Sequence, residues 1–205
     1  MMVKTFLDGA YSHESGQPAK AYYDAWADTY DEEQAANGYV TPRRCAAALA
    51  AASTERGAPI LDLGCGTGLS GVALRAAGFS TIDGWDPSAE MLRRAEVRNI
   101  YRVLRQIEPD RPLSAHTGAY AAIVAVGVFS RGLAPPEALD LCLNFLPNGG
   151  FFCFSLNDYS MKDRAYEGRV NEMVDCGAAR VVSREYGDHI KTRALGATVY
   201  VLKKA

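Results

Sequence analysis

The chain has 205 residues, 48% apolar and 22% charged, an ordinary globular composition that excludes a fibrous repeat or a disordered polar chain. At about 100–200 residues per domain this length reads as one domain, and a formal charge of −2 disfavours a polyanion-binding surface and hence nucleic acid. Five cysteines scattered without a CxxC pair fit neither a disulfide framework nor a zinc site, and are read as reduced thiols of a cytoplasmic protein.

Residues 1–16 mix polar and apolar types without period and are read as a loose arm that lacks the unbroken apolar core of a signal peptide. From Pro18 to Ala36, Tyr22, Tyr23, Trp26 and Tyr30 recur at intervals of three and four. That spacing predicts one helix with an aromatic face, and it sets Asp24, Asp28, Asp31, Glu32 and Glu33 largely elsewhere. Asn37-Gly38 ends it, and an alanine-rich stretch from Pro42 to Ala52 is a second helix by propensity. The texture then changes. Pro59–Leu63 is a short apolar strand running into Gly64-Cys65-Gly66-Thr67-Gly68 and a helix closed by Gly78. A strand from Phe79 to Asp86 precedes a helix opened by Pro87-Ser88, where proline is favourable. Arg102–Ile107 is a weaker strand, while Tyr120–Val126 and Phe151–Leu156 are apolar enough to be buried on both faces. Helices from Pro135 to Leu146 and Met161 to Cys176 follow their strands, and Arg180–Tyr186 and Ala197–Leu202 close the chain as an antiparallel pair. The longest apolar run, Ala119–Phe129, has eleven residues, against the roughly twenty of a membrane helix.

Alternating strands and helices predict an α/β fold, a doubly wound and mostly parallel seven-stranded sheet with an antiparallel last strand. A helical N-terminal extension, residues 1–57, precedes a ligand-binding core, residues 58–205. In such a sheet the ligand sits beyond the carboxyl ends of the strands, where the strand order reverses. The glycine loop can be parsed twice. Gly66-x-Gly68-x-x-Gly71, with Asp86 twenty residues after Gly66, matches a dinucleotide fingerprint. Asp62-x-Gly64-x-Gly66-x-Gly68 sets an acid ahead of three alternating glycines. A carboxylate beside a pyrophosphate would be repelled, so Asp62 suits a ligand with an ammonium group and no phosphate. Asp86, at the end of the next strand, can accept hydrogen bonds from both hydroxyls of a ribose.

At these residues the chain resembles the class I S-adenosylmethionine-dependent methyltransferases. Ile60–Gly68 is similar to their first motif, Trp85-Asp86-Pro87-Ser88-Ala89-Glu90-Met91-Leu92 to their second, and Leu146–Gly150 to the turn before their fifth strand. Tyr23-Asp24-Ala25-Trp26-Ala27-Asp28-Thr29-Tyr30-Asp31 resembles the YDxWAxxYD header of small stand-alone members. The resemblance implies S-adenosylmethionine as cofactor and S-adenosylhomocysteine as product. It implies backbone at Gly64, Cys65 and Gly66 along the methionine part, with Gly68 completing the loop and Asp62 beneath. It also implies Asp86 on the ribose diol, Pro87 and Met91 flanking the adenine, Glu108 on the adenine amine, and Tyr23 and Tyr30 in the roof.

Plainer readings stand beside these. The aromatics at 22, 26 and 30 fit core packing, and Asp86 could cap the helix at Pro87-Ser88. The arginines at 93, 94, 98, 102, 105 and 111 fit a solvated face beside acids better than a nucleic-acid patch. His13, His116 and His189 lack metal-ligand spacing and are read as surface or loop residues, and Cys65 as a small residue suited to its loop. The acceptor site is expected in Gly127–Arg131 and Asn157–Tyr159, where Ser130, Asn157, Asp158 and Tyr159 are polar; no residue is assigned as a catalytic base. Without a Pro-Cys or Asn-Pro-Pro-Tyr motif or a recognition domain, a small-molecule acceptor is the leading reading. The alternatives are a non-catalytic cofactor-binding regulator and, on the first glycine parse, an NAD-dependent oxidoreductase.

Overall fold

The computed structural model describes residues 6–12, 19–108, 118–130 and 132–205. Its frame is one seven-stranded sheet. The strands are β1 (Ile60–Leu63), β2 (Ile82–Asp86), β3 (Val103–Gln106), β4 (Ala122–Ala125), β5 (Phe151–Asn157), β6 (Ala179–Ile190) and β7 (Leu195–Lys204). They lie in the order β3-β2-β1-β4-β5-β7-β6. The first five pair in parallel, and β7 runs antiparallel between β5 and β6. The sequence therefore predicts the architecture, including the antiparallel close.

Burial explains why these segments are strands. Every residue of β1, β2 and β4 is buried, as parallel strands covered on both faces require. Alternate residues feed two cores. Leu61, Leu63, Phe152, Phe154, Tyr200 and Leu202 face one layer, while Ile60, Val124, Cys153, Val199 and Val201 face the other. The helices on the two faces are α4 (Thr41–Ala52), α5 (Leu69–Ala76), α6 (Ala89–Glu96), α7 (Ala138–Phe145) and α8 (Arg164–Asp175). No helix among the described residues is long and apolar enough to cross a membrane.

The N-terminal part departs most from expectation. Within the segment read as a loose arm, Phe6–Ser12 is a helix, α1. Tertiary packing overrides its aperiodic sequence: Leu7 is fully buried in a cluster with Trp26 and Ile190, and Phe6 stacks on Trp26 at 6.2 Å. The single helix expected over Pro18–Ala36 is two, α2 (Ala19–Trp26) and α3 (Tyr30–Ala36), joined by a turn at residues 27–29. Helix α4, grouped above with the extension, buries Cys45, Ala46 and Leu49 against Ile60, Phe79 and Val199, so its packing belongs to the α/β layers. Strand β2 begins at Ile82, three residues later than read, and the helix expected from Met161 is a short turn, Ser160–Lys162, followed by α8 capped by the Asp163 side chain.

His189 is neither surface nor loop. It lies in β6, 2% exposed, with Nδ1 hydrogen-bonded to Thr41 Oγ1 at 2.7 Å, and burial lowers its pKa to about 4. His13, Gly16, Pro18, Arg111, His116 and Arg131 lie outside the described residues.

Candidate functional site

β1 is flanked by β2 on one side and β4 on the other, so the strand order reverses there and the loop after β1 opens at the sheet's carboxyl edge. Gly64, Gly66 and Gly68 all have positive φ, at 68°, 54° and 95°, a backbone that side chains strain. At Gly64 the need is also steric, because a Cβ would lie 2.5 Å from Val128 Cγ2. At Gly66 a Cβ would meet nothing within 4 Å, so the missing side chain leaves open space. That space belongs to an open cleft lined by Tyr30, Tyr39, Gly64, Gly66, Ser70 and Val126, among others.

Two carboxylates lie around this loop. Asp62, on β1, is fully buried; its Oδ2 accepts from Ser70 Oγ and Tyr101 Oη, both at 2.7 Å, while its Oδ1 has no hydrogen-bond partner among the described residues. Burial pushes its carboxyl up to about 6 against these hydrogen bonds, and the charge of Asp86 adds to the rise. Asp86, at the end of β2, is 7% exposed. Its Oδ2 accepts from Gly66 N and its Oδ1 from Ser88 N, both at 2.8 Å. A carboxylate offers about four acceptor positions, so roughly two remain. Burial also raises Asp86 to about 6, and the hydrogen bonds from Ser88 and Gly66 oppose that rise. The plainer reading of Asp86 is partly correct, since it holds the backbone entering α6; the helix cap itself is Ser88, whose Oγ accepts from Met91 N at 3.1 Å.

The other candidates gather unevenly. Cys65 is buried, and burial first, then Asp62 and Asp86, raise its thiol pKa well above the ordinary value. Tyr23 lies near enough to Asp86 that burial and then that charge raise its phenol, and Tyr30 lines the cleft. Met91 is buried at the start of α6, and the Pro87 carbonyl accepts from Gln106 Nε2 at 3.0 Å. Glu108 is exposed, two residues past the end of β3. On the acceptor side, Asn157 Oδ1 accepts from Tyr159 N and Ser160 N, both at 3.0 Å, and from Ser160 Oγ. It therefore staples its own loop. Asp158 Oδ2 accepts from Gly196 N at 2.7 Å, and Tyr159 is 40% exposed with Lys162 Nζ 4.7 Å from its ring centre.

Three contacts draw the N-terminal helices onto this site. Asp24 Oδ1 accepts from Ser88 Oγ at 2.5 Å, Asp28 pairs with Arg94, and Asp31 accepts from Thr67 Oγ1 at 2.5 Å while pairing with Arg98. Helix α2 packs across α6, and the aromatic cluster on its other side reaches Ile190 and Leu195 at the β6–β7 turn. Three of the five acids expected off the aromatic face, Asp24, Asp28 and Asp31, are thus the ones that dock on the glycine loop and α6. Pairing between distant helices was invisible in the sequence, although acids at 24, 28 and 31 have helical spacing.

A family model described as a methyltransferase domain matches residues 36–192. The chain belongs to this methyltransferase family. A human relative, methyltransferase-like protein 27, is 35% identical over 137 residues, covering 65% of this chain and 56% of the relative's length. The fold is shared with magnesium protoporphyrin IX methyltransferase from Synechocystis, solved with bound S-adenosylmethionine, at a TM-score of 0.60 and 16% identity, covering 98% of this chain and 90% of that one. It is also shared with a TehB-like methyltransferase from Corynebacterium glutamicum, at a TM-score of 0.61 and 18% identity, covering 90% and 99% of the two chains. Membership of this family sets aside the dinucleotide parse of the loop. Gly71, its third glycine, packs inside α5 against the Tyr101 ring.

Proposed function

We propose that this methyltransferase holds S-adenosylmethionine in the glycine-loop cradle and transfers its methyl group to a small-molecule acceptor in the cytoplasm. The observation that carries the cofactor reading is Asp62 Oδ1, a buried carboxylate oxygen without a partner at the foot of a loop whose missing side chain at Gly66 leaves space. An unpaired buried acceptor is costly, and a cationic amine is the group that would satisfy it. Backbone at Gly64, Cys65, Gly66 and Gly68 would then follow the methionine part. The two remaining acceptor positions of Asp86 suit the two hydroxyls of a ribose, with Pro87 and Met91 beside the adenine and Glu108 toward its amine. When bound, the cofactor supplies a methyl already activated on a sulfonium, so the protein's task is to align a nucleophile behind it.

The N-terminal helices serve as a lid. Tyr23 and Tyr30 roof the cradle, and the docking acids Asp24, Asp28 and Asp31 hold them against α6 and the loop. Water is excluded where the methyl moves. The acceptor would approach between residues 127–130 and 157–159. A small molecule is favoured because Arg94, Arg98 and Arg102 are turned onto Asp28, Asp31 and Asp83 and not presented as a phosphate-binding row. Incubating the protein with methyl-labelled S-adenosylmethionine and separated metabolite, protein and nucleic-acid fractions tests this. Label should enter the metabolite fraction; label in nucleic acid, with binding that falls steeply with salt, would reject the small acceptor. Cofactor binding with no transfer in any fraction would favour a regulatory binder.

A further inference from the structure

We propose that Tyr101 is a positioning residue of the cofactor site, fixing Asp62 so that one carboxylate oxygen stays open for the cofactor's ammonium group. This rests on the cofactor reading above. Tyr101 lies outside every motif noted in the sequence, in the connection between α6 and β3, yet its hydroxyl donates to Asp62 Oδ2 at 2.7 Å. Ser70 donates to the same oxygen at 2.7 Å, and Oδ1 is left buried and unpartnered. Both hydrogen bonds therefore fall on one side of the carboxylate. Two neutral hydroxyls can hold the group without cancelling its charge, whereas an arginine or lysine would spend that charge before a ligand arrived.

The surrounding glycines show how much of the fold is shaped to this ring. A Cβ on Gly71 would lie 2.3 Å from the Tyr101 hydroxyl, and one on Gly84 would lie 2.9 Å from Cδ1. Neither glycine has a positive φ, so the backbone does not ask for glycine at either place. One sits inside helix α5 and the other inside strand β2, where glycine weakens the element. Gly68 adds a third approach, 3.2 Å from Cε2. A helix and a strand thus go without side chains where this phenol packs, and the phenol's hydroxyl grips Asp62.

Asp62 is faced by Ser70 from α5, Tyr101 from the α6–β3 connection, Cys65 from the loop, and Asp86 from the end of β2, whose charge opposes ionisation. Removing the Tyr101 hydroxyl takes away a donor to the ionised carboxylate and so makes its proton harder to lose. The experiment is calorimetric binding of S-adenosylhomocysteine to the full chain between about pH 5 and 8, for wild type, Tyr101→Phe and Ser70→Ala. Tyr101→Phe should weaken binding about tenfold at neutral pH, and the pH at which affinity falls on acidification should move upward. Ser70→Ala should move it the same way. Weaker binding with an unmoved pH midpoint in Tyr101→Phe would reduce the residue to packing and overturn the proposal, as would unchanged affinity. If the wild type itself fails to bind the ligand, the cofactor reading falls first and the proposal with it.

Discussion

The cradle and the lid meet across one cleft and are held by opposite means. The cradle is backbone: three glycines at positive φ, braced by the buried Asp86 carboxylate on the Gly66 amide. The lid is side chains. Its aromatic cluster packs on itself and on Ile190 and Leu195, and its grip on α6 runs partly through Asp28 and Arg94, whose side chains are 77% and 49% exposed. Backbone geometry is indifferent to salt and intolerant of substitution, whereas exposed ion pairs are weak, screened and replaceable. On the lid reading proposed above, the cradle is the fixed wall and the N-terminal helices the wall that yields to a ligand.

Two glycines of the loop, Gly64 and Gly66, break the fixed wall in different ways. Gly64→Ala meets Val128 Cγ2 at 2.5 Å and a φ of 68°, so unfolding free energy should fall by about 2–5 kcal/mol. Gly66→Ala has only its φ of 54° against it, costing about 1–2 kcal/mol, because nothing lies within 4 Å of the new Cβ. Yet that methyl would occupy the cradle, and S-adenosylhomocysteine affinity should drop at least tenfold, about 1.4 kcal/mol. Denaturant melts and calorimetry on the pair separate the two effects. Normal binding by Gly66→Ala would show that the cofactor does not approach this loop.

Removing the yielding wall is the next largest test. A chain beginning near Val40 keeps α4 and both cores of the sheet, so it should remain folded by circular dichroism while losing most affinity for the cofactor. In the full chain, amide exchange over Tyr22–Gly38 should slow when S-adenosylhomocysteine is added. Full affinity in the shortened chain would make the N-terminal helices mere packing.

What was legible in the sequence follows the same division. The β1–glycine loop–β2 stretch could be read because strand burial, glycine spacing and the acid at a strand end are local signals. Asp62 and Asp86 stand where those signals put them. The lid was only half legible. Its aromatic spacing gave helix, but the turn at residues 27–29 and helix α1 come from packing on Ile190 and Leu195, more than 150 residues away. Tyr101 escaped because its purpose lies in long-range contacts; its one trace was a pair of glycines, Gly71 and Gly84, in the middle of a helix and a strand. His189 was misread because a polar residue near a turn looks exposed, and only the fold supplies Thr41 as its buried partner.

Asp86 braces both the glycine loop and the entry to α6, and its substitution should have a double cost. The buried carboxylate takes two backbone amides, so Asp86→Ala should lose about 1–3 kcal/mol of stability as well as at least tenfold in affinity. Acid gives a reversible version of the same test. Asp62 and Asp86 are both raised to about 6, so in the unliganded fold they favour protons. Their contribution to stability is full below about 4 and is lost as pH rises through about 6. Ligand binding runs the other way, because an ammonium group and ribose hydroxyls need ionised acceptors. Affinity should fall as pH drops below about 6, by up to about tenfold per unit for each carboxylate that must ionise. Calorimetry at pH 6 in buffers of different ionisation enthalpy should detect proton release on binding. Flat affinity from pH 8 to 5 would mean that neither carboxylate touches the ligand.

The smallest expected effect tests the lid's grip directly. The Asp28–Arg94 pair is exposed on both sides, and such pairs contribute about 0–1 kcal/mol, so Asp28→Asn should weaken S-adenosylhomocysteine binding by no more than about fivefold. Raising salt from about 0.05 to 0.5 M should weaken wild-type binding by a similar factor and leave Asp28→Asn less affected, because screening and substitution remove the same attraction. Asp31 supplies the contrast. Its partners are Thr67 on the glycine loop itself and Arg98, only 24% exposed, so Asp31→Asn should cost more and respond less to salt. If Asp28→Asn proves as damaging as Asp31→Asn, the lid is held as rigidly at its outer edge as at the loop. The division into a fixed wall and a yielding one would then fail at the contact where the lid looks weakest.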